Sequence, residues 1–524
     1  MTKQFIIISF FITTSLFAQK KAPDNWQLLD PATDKIYGAA VEDAYKTLQG
    51  KKSKTVIVAV IDGGIDIEHE DLKGVIWTNT GEIPDNGIDD DHNGYIDDVH
   101  GWSFLGGKNG DVNYESTELA RMYQRMSKKF KDADTTFLSI EEAKEFKEFK
   151  KIKPIFLKEQ EQKENELKGI QFFSDFLDHA KKQNNGVLSK KALKAYVPEN
   201  EMEKRMKKRL KILFMLGIKP EELDGQIAEG RKMVYNTVKY NSLNVDSIRQ
   251  FLVGDDVNNA SERYYGCNRV KGPDALHGTH VAGIIAAVRN NKIGINGIAD
   301  NVKIMPIRAV PNGDERDKDI ANAIRYAVDN GATVINMSFG KYYSPDKKLV
   351  DDAVQYALSK DVLFIHAAGN DSKSNDTELS YPNRELQSGT TVPNWIEVGA
   401  NGYKKGKNII GTFSNYGKTK VDLFAPGVDI YSTVPDNKYV RESGTSMASP
   451  AAAGVAALVR SYFPELKATE VKTVLMKTVV PYKKKVLKPG ARRIKVKVSE
   501  LCISGGFINA NNAVKELIGL NKIK

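Results

Sequence analysis

The sequence predicts an α/β protein with a mostly parallel central sheet and an inserted α-helical subdomain. In two parts of the chain, β-branched apolar runs alternate with helix-periodic segments, a pattern typical of parallel strands joined by crossover helices. Residues 105–260, between those parts, are instead rich in Lys, Glu and Gln, with apolar side chains at helical spacing. Polar residues able to do chemistry follow several of the strands, which is where parallel sheets carry their sites.

The N-terminus has the pattern of a secretory signal peptide. Lys3 precedes an apolar run that ends at Phe17, and the small residue Ala18 follows it. We predict a signal peptide over residues 1–18, cut after Ala18. A membrane anchor is the alternative, but the run is shorter than the roughly 20 apolar residues that a spanning helix needs. We therefore expect an exported protein, periplasmic or secreted, with no stable membrane span.

The predicted α/β domain comprises residues 19–104 and 261–524. Its first strand is the β-branched run TVIVAVID, which stops at Asp62 before two glycines. The intervening segments have helical spacing, and one of them closes at Gly331, a helix-stop signal. The later predicted strands lie in the runs VKIMPIRAV, ATVINMSFG, VLFIHAAGN and NWIEVGAN.

Residues 105–260 are predicted to form the helical insertion. Ser139 and Glu142 have the spacing of a capping box at the start of one helix, and Pro154 is expected to end or kink that helix. A disordered charged linker is the alternative, but apolar stripes such as LKILFMLGI favour a packed unit. One predicted apolar helix face carries Leu119, Met122, Tyr123, Met126 and Phe130.

The formal net charge is +10, with 77 Lys and Arg against 67 Asp and Glu. Such an excess can indicate binding to nucleic acid or to a membrane surface. Here much of it lies in the insertion and in the segment KKKVLKPGARRIKVKV, whose alternation around Pro489 and Gly490 predicts an exposed hairpin. We therefore expect no nucleic-acid partner.

The two cysteines, Cys267 and Cys502, are far apart in the sequence. An exported chain can form a disulfide, but only if the two Cα atoms lie within about 7 Å of each other. We interpret them as two free thiols, with a disulfide as the alternative.

Three short stretches carry the side chains of a candidate catalytic triad. They are VIDGGID with Asp62, LHGTHVAG with His277 and SGTSMASP with Ser446. A serine hydroxyl is a poor nucleophile until a base removes its proton, and a carboxylate fixes the tautomer of that base. Ser446 precedes an apolar helix pattern, so backbone N–H groups at the helix start would face a developing oxyanion. Each stretch alone is a weak signal, but their joint occurrence predicts a serine hydrolase.

With HGTHVAG and GTSMASP in the chain order Asp, His, Ser, the sequence resembles the subtilisin-like serine peptidases, the subtilase family. The resemblance covers roughly three fifths of the chain. It implies a three-layer subtilisin-like fold and serine endopeptidase activity on polypeptide substrates through an acyl-enzyme. It also implies that Ser446 is the nucleophile, His277 the base and Asp62 the acid that orients the base. The neighbouring His280 then has a packing role.

The same resemblance extends to groups that bind the substrate. In HAAGND, Asn370 matches the family's side-chain donor to the oxyanion. In MSFG, Ser338, Phe339 and Gly340 match the strand that pairs with an extended peptide, with an ordinary sheet edge as the alternative. One departure is Gly63, which stands where the family usually carries Ser or Thr after the catalytic Asp. That departure puts the support of the triad carboxylate in doubt.

An acidic loop at residues 85–100 has calcium-binding spacing. Its polar residues fall at EF-hand-like offsets, and Gly94 allows the sharp turn. His100 stands where the bidentate Glu is expected, so Asp90 or Asp98 would have to complete the site. We predict a structural calcium ion here, with a solvated acidic turn as the alternative. The predicted ligands are the side chains of Asp89, Asp91, Asn93 and Asp97 and the carbonyl oxygen of Tyr95.

Two other functions remain open on the sequence. A latent or non-catalytic subtilase scaffold would bind peptides or a partner through the insertion, a hypothesis supported by Gly63 and by the length of the insertion. A metal-dependent hydrolase would use His277 and His280 as ligands, although no HExxH motif or third ligand lies nearby. In the peptidase, the insertion is expected to cover or gate the cleft, or to recruit a partner.

Overall fold

The computed structural model describes residues 22–131, 137–215 and 219–521. The predicted signal peptide, residues 1–18, lies outside the described residues. Within them the chain divides into two compact units. Residues Tyr114–Val245 form the helical unit, and the residues on either side of it in the sequence form the larger unit.

All strands of the described residues belong to the larger unit. In chain order they are β1 (Val56–Asp62), β2 (Trp102–Ser103), β3 (Gly106–Gly107), β4 (Gly110–Asp111), β5 (Val302–Arg308), β6 (Val334–Met337), β7 (Leu363–Ala367), β8 (Trp395–Asn401), β9 (Leu423–Pro426), β10 (Ile430–Val434), β11 (Lys438–Glu442), β12 (Val480–Pro481), β13 (Val486–Leu487), β14 (Lys495–Val496) and β15 (Gly506–Phe507). Strands β1, β5, β6, β7 and β8 lie in the five β-branched runs that predict strands.

Nine of these strands form the central sheet, in the order β12-β15-β9-β8-β7-β6-β1-β5-β2. Neighbours in this sheet are parallel except β12 and β15. Every residue of β1 except Ile57 is buried, as expected for a strand covered on both faces. The prediction of a mostly parallel sheet is confirmed.

Helices cover both faces of the sheet. In chain order the helices of the described residues are α1 (Val41–Leu48), α2 (Glu118–Phe130), α3 (Ile140–Lys182), α4 (Lys190–Ala195), α5 (Glu201–Met215), α6 (Pro220–Ser242), α7 (Val245–Leu252), α8 (Leu276–Ala286), α9 (Asp317–Asp329), α10 (Lys347–Ser359), α11 (Thr445–Tyr462), α12 (Ala468–Lys477) and α13 (Ala510–Asn521). Helices α1, α8, α11, α12 and α13 share one core with the sheet, and α9 and α10 share a second core with its other face. These layers confirm the predicted three-layer α/β architecture.

Helices α2 to α6 make up the helical unit. Its predicted capping box is confirmed: the Ser139 hydroxyl oxygen accepts from the backbone N–H of Glu142 at 3.2 Å, and Glu142 accepts from the backbone N–H of Ser139 at 3.0 Å. Of the two outcomes predicted for Pro154, an end of the helix is wrong, because α3 continues for several turns beyond it, and a kink stays a prediction. A proline removes only one N–H donor, and the buried side chains of Ile152 and Phe156 hold the helix on either side.

Three smaller features bear on the sequence predictions. The basic C-terminal segment forms the predicted hairpin, in which β13 runs antiparallel to β14. Cys267 and Cys502 are both free thiols, as interpreted from the sequence. Among the helices of the described residues, none combines the length and the apolar composition that crossing a membrane requires.

Candidate active site

The three predicted triad residues come from three separate elements of the larger unit. Asp62 is the last residue of β1, His277 is the second residue of α8, and Ser446 is the second residue of α11. Asp62 therefore lies at the carboxyl end of a central parallel strand, the edge where such sheets carry their sites. The two helices present His277 and Ser446 at their N-terminal ends.

Asp62 and His277 are in direct contact. Nδ1 of His277 lies 2.9 Å from each carboxylate oxygen of Asp62. A carboxylate only accepts, so Nδ1 carries the proton and Nε2 of the neutral ring keeps a lone pair. The side chain of Asp62 is 4% exposed and that of His277 is 44% exposed, so the acid is buried while the base reaches solvent.

The backbone holds the carboxylate of Asp62 on its other side. The N–H of Gly63 donates to Oδ1 of Asp62 at 2.8 Å. The carbonyl oxygen of Gly63 accepts from Nε of Arg308 at 2.9 Å, which fixes the orientation of this residue. Gly278 packs against the same carboxylate, since a Cβ there would lie 3.1 Å from Oδ1. The Asp62 carboxylate therefore has a backbone donor although position 63 carries no hydroxyl.

The electrostatics around His277 favour its protonated form. Partial burial lowers the pKa of His277, but the charge and hydrogen bond of Asp62 outweigh that effect, and Glu442 and Asp274 raise the pKa further. The pKa of His277 therefore lies above its ordinary value. A base must be neutral to accept a proton, so the acidic limit of base catalysis falls at a higher pH than for an isolated histidine.

Ser446 lies in the first turn of α11. Its Oγ donates to the carbonyl oxygen of Ser338 at 3.2 Å, and its own carbonyl oxygen accepts from Oγ of Ser338 at 3.0 Å. Backbone N–H groups in a first helical turn have no partner inside the helix, so they can donate to a negative charge. In the described residues the Ser446 hydroxyl bonds to Ser338 and not to His277, so attack on a substrate requires it to leave Ser338 for Nε2 of His277.

Asn370 lies beside the start of the same helix. Its Oδ1 accepts from the backbone N–H of Thr445 at 2.9 Å and from the Thr445 hydroxyl at 3.0 Å. These bonds orient the amide and leave Nδ2 as a donor. The Thr445 hydroxyl in turn accepts from the N–H of Gly369 at 3.1 Å. Thr445 was not among the predicted site residues, although its place beside Ser446 in the GTS motif was a usable signal.

Residues Ser338–Gly340, here called the substrate segment, leave the central sheet at the end of β6. Among the described residues, the N–H and C=O of Gly340 make no backbone hydrogen bond, so they are open to an extended peptide. The carbonyl oxygen of Phe339 is occupied, because it accepts from Nε2 of His366 at 2.9 Å. His366 was not among the predicted site residues, since only its residue type distinguishes it within an apolar strand.

His280 is held away from the triad. It is fully buried, and its Nε2 lies 3.1 Å from the carbonyl oxygen of Ile430. Burial lowers the pKa of His280 to about 3, so the ring is neutral. This geometry supports a packing role. In the part of the chain that the structure describes, no group of three potential ligands includes His277 or His280, which leaves the metal-dependent hydrolase without support.

The acidic loop gathers a set of carboxylates that differs from the predicted ligands. Across residues 22–131, 137–215 and 219–521, the ligand oxygens of Glu82, Asp91 and Asp98 lie within 4.8 Å of one another. Asp98 is fully buried and Glu82 is 7% exposed. Like charges this close repel each other, and their hard oxygen donors suit a divalent cation such as calcium.

Of the five predicted ligands, Asp91 belongs to this cluster. The carboxylate of Asp89 instead accepts from the backbone N–H of Asn93 at 3.0 Å, and the side-chain oxygen of Asn93 accepts from the N–H of Tyr95 at 2.8 Å. The Asp97 carboxylate accepts from two backbone N–H groups earlier in the loop, at 3.1 and 2.9 Å. These bonds stabilise the turns of the loop, and Glu82 of the observed cluster accepts from backbone N–H groups in the same way, so the predicted ligand set stays a prediction.

The chain has relatives among known proteins. The family model described as Subtilase family matches residues 53–497. The chain is 46% identical over 187 residues to the thermophilic serine proteinase of Bacillus sp. (strain AK1), which covers 35% of this chain and 42% of that protein. It is 41% identical over 186 residues to thermitase of Thermoactinomyces vulgaris, covering 35% and 61% respectively. It is 37% identical over 204 residues to subtilisin DY of Bacillus licheniformis, covering 38% and 69%. The chain thus spans less than half of the length of the first of these relatives.

Proposed function

The chain belongs to the subtilase family, and on that basis we propose that it is an exported serine endopeptidase that hydrolyses peptide bonds through an acyl-enzyme intermediate. The observation that carries the proposal is the contact of Nδ1 of His277 with both carboxylate oxygens of Asp62, each at 2.9 Å. That contact leaves Nε2 of His277 as the basic atom, the state in which it can take the proton of Ser446.

In the first half of the proposed reaction, Oγ of Ser446 attacks the carbonyl carbon of the scissile bond while Nε2 of His277 takes its proton. The imidazolium that forms is stabilised by Asp62. The former carbonyl oxygen, now negative, accepts from Nδ2 of Asn370 and from the backbone N–H of Ser446. Collapse of this intermediate breaks the C–N bond, and the leaving amine takes the proton from Nε2.

In the second half, a water molecule attacks the acyl-enzyme. Nε2 of His277 takes a proton from the water as its oxygen bonds to the ester carbon. The tetrahedral intermediate then breaks the ester bond, and Oγ of Ser446 recovers the proton from Nε2. The products are a new carboxylate end and a new amine end, and the enzyme returns to its starting state.

Polypeptides are the proposed substrates, bound in extended form along the substrate segment. The open N–H and C=O of Gly340 support this mode, in which a peptide adds as a strand. A side chain at this position would crowd the neighbouring backbone, because a Cβ on Gly340 would lie 3.2 Å from the carbonyl oxygen of Tyr381. A glycine at this position therefore avoids a close contact with Tyr381.

Export and the role of the helical unit stay predictions. Export to the periplasm or the medium is proposed from the leader pattern that ends at Ala18. The helical unit, Tyr114–Val245, has its own buried core, formed mainly by α3, α5 and α6, which supports an independent packed unit. We propose that it controls access to the cleft or recruits a partner.

Labelling with a fluorophosphonate probe tests the proposed function, because the probe reacts with a serine that a base activates. We expect the purified wild-type chain to be labelled and the Ser446→Ala variant to stay unlabelled. Ser443→Ala, three residues earlier, should be labelled like the wild type. Label on Ser446→Ala at the wild-type level would contradict the assigned nucleophile. A folded wild-type chain without label would favour the latent scaffold.

Asn370→Ala is expected to lower kcat about 10²–10³-fold and to leave KM nearly unchanged. The reason is that Nδ2 gains its strong contact only when the substrate oxygen becomes negative, so binding of the ground state is spared. Steady-state kinetics on one peptide substrate gives both constants. A rise in KM with kcat unchanged would show that Asn370 binds the substrate and does not stabilise the oxyanion.

We propose a structural calcium ion at the acidic loop, held by Glu82, Asp91 and Asp98. The convergence of three carboxylates within 4.8 Å, two of them buried, supports it. Bound there, the ion would neutralise the carboxylates and stiffen the loop, without a part in the reaction. Because an ion that binds only the folded chain stabilises it, a chelator is expected to lower the melting temperature by roughly 5–10 °C in calorimetry.

Two matched variants identify the ligands of this ion. Glu82→Gln removes a member of the observed cluster and should abolish the effect of the chelator. Asp89→Asn removes a carboxylate of the predicted EF-hand set that lies outside the cluster and should keep the effect. If the chelator affects Glu82→Gln but not Asp89→Asn, the predicted EF-hand residues are the ligands. If the chelator does not change the melting temperature of the wild type, the proposal of a structural ion is contradicted.

A further inference from the structure

A buried histidine–glutamate pair lies behind the substrate segment. His366 on β7 and Glu397 on β8 are opposite each other in the register of the sheet. His366 is 1% exposed and Glu397 is 6% exposed. The imidazole packs against Trp395, with ring centroids 5.2 Å apart, within the core on the α9 and α10 face. Neither residue of the pair has a part in the proposed reaction.

The partners of the imidazole decide its protonation. Nδ1 of His366 lies 3.0 Å from each carboxylate oxygen of Glu397, and Nε2 lies 2.9 Å from the carbonyl oxygen of Phe339. Both partners only accept, so each ring nitrogen must carry a proton for both contacts to be hydrogen bonds. With Glu397 ionised, this makes His366 an imidazolium whose charge Glu397 balances. The indole N–H of Trp395 also donates to Glu397, at 2.9 Å, which holds the carboxylate in place.

The bond from His366 sets which way the substrate segment faces. In an extended chain, successive carbonyl groups point to opposite sides. The Phe339 carbonyl points at His366, so the carbonyls of Ser338 and Gly340 point the other way. The carbonyl of Ser338 points towards the nucleophile, because its oxygen accepts from the hydroxyl of Ser446 at 3.2 Å. The open N–H and C=O of Gly340 therefore lie on the side of the nucleophile.

We propose that His366, as an imidazolium paired with Glu397, is a positioning residue that holds the substrate segment in its binding orientation. This inference rests on the proposed peptidase function. His366 touches the backbone of Phe339 and no reacting atom, so it acts on the binding of extended peptides and not on the chemical step. When Nε2 loses its proton, its lone pair faces the Phe339 oxygen, and the repulsion turns that peptide group.

The charged groups around His366 determine the pH at which this happens. Burial lowers the pKa of His366, but Glu397 and, to a smaller extent, Glu315 ahead of α9 outweigh it, so the pKa lies above its ordinary value. Burial raises the pKa of Glu315 itself to about 7, while the neighbouring Lys341 opposes that rise. A raised folded-state pKa stabilises the fold at low pH, and that stabilisation is lost as the pH rises through it. We therefore expect His366 to stop holding the Phe339 carbonyl when the pH rises above the pKa of His366.

Peptides of two lengths test the proposal on the wild-type chain. A peptide long enough to pair with Gly340 should show a KM that rises as the pH passes from neutral to alkaline. Fluorophosphonate labelling of Ser446, which does not need the substrate segment, should not decline over the same range. A KM that stays constant, or a decline in labelling that follows the rise in KM, would overturn the proposal.

Variants of the pair give the size and direction of the effect. His366→Gln keeps a donor but no charge and should raise KM for the long peptide about tenfold at neutral pH, with kcat within about twofold. Glu397→Gln removes the counter-charge and should move the rise in KM to lower pH. His179→Gln, which changes a half-exposed histidine of the helical unit, is the matched control and should leave the profile unchanged. A loss confined to kcat in His366→Gln would overturn the positioning role.

Histidine-selective nitrogen NMR reads the protonation directly, whether or not the His366 variant folds. The chain has seven histidines. We expect one imidazole to keep both protons at a pH where exposed histidines have lost one, with a signal that Glu397→Gln displaces and Asp62→Asn does not. If no histidine besides His277 keeps both protons there, the inference fails. A folded wild-type chain that takes no label would contradict the proposed function instead, while the spectrum would still report on His366.

Discussion

Replacing Ser446 with alanine is expected to lower kcat for peptide hydrolysis by about 10⁶-fold, the size of loss found for the triad serine of subtilisin. The alanine lacks the atom that would bond to the acyl carbon, so the residual rate comes from oxyanion stabilisation and binding. KM should stay within a few fold, because Oγ is a small part of the contact with the substrate. The fold should be kept, since the hydroxyl loses only its bond to Ser338.

The measurement is steady-state hydrolysis of one fluorogenic peptide, with thermal unfolding to check each protein. Ser443→Ala is the matched control, because its hydroxyl accepts from the N–H of Asp429 at 2.8 Å and has no part in the proposed reaction. Wild-type activity in Ser446→Ala would remove the nucleophile from the mechanism. An equal loss in both variants would point to damage of the local fold.

Asp62→Asn is expected to lower kcat by about 10⁴-fold at neutral pH. In the wild type both carboxylate oxygens face Nδ1 of His277. Asparagine places an N–H there in place of one oxygen, which favours the tautomer with its proton on Nε2, the wrong atom for a base. The N–H of Gly63 still finds an oxygen to bond, so the surrounding backbone should be unchanged.

In the same variant, the acidic limb of the pH dependence of kcat/KM should move in a definite direction. Partial burial lowers the pKa of His277 and the Asp62 carboxylate raises it by more, so the acidic limb of kcat/KM in the wild type should lie above the pH of an ordinary histidine. In Asp62→Asn the residual limb should move to lower pH. The carboxylate of Asp274 raises the same pKa only through space, so Asp274→Asn should give a small shift to lower pH with kcat within a few fold. An acidic limb that Asp62→Asn leaves in place would contradict the pairing.

The larger part of the fold was predictable because its signals are local. The run VIVAVID is almost wholly apolar because helices cover both faces of β1, and such a run identifies a central parallel strand without an alignment. Helix ends were equally readable, as the capping box of Ser139 and Glu142 shows. The helix does not end at Pro154, because neighbouring buried side chains outweigh a local helix-breaking signal.

In the candidate site too, some features could be predicted from the sequence and others could not. Asp62, His277 and Ser446 stand out in the sequence because each lies at the end of an element among small residues. The backbone donor that Gly63 supplies could not be read there, since it depends on the direction of one N–H bond. The carboxylate of Glu82 could not be assigned to the acidic loop either, because its convergence with Asp91 and Asp98 depends on how the loop folds back on itself.

By itself, the sequence determined the strands, the helices, their order and the reactive residues at their ends. Hydrophobic period and capping are properties of consecutive residues, so they can be read from the chain directly. Only the tertiary structure decided which groups share a proton or a charge. The contacts of His366 exist because the sheet register sets Glu397 beside one ring nitrogen and the turn after β6 brings Phe339 to the other. Hydrogen bonds act over about 3 Å, and distances of that kind between residues far apart in the chain are set by packing.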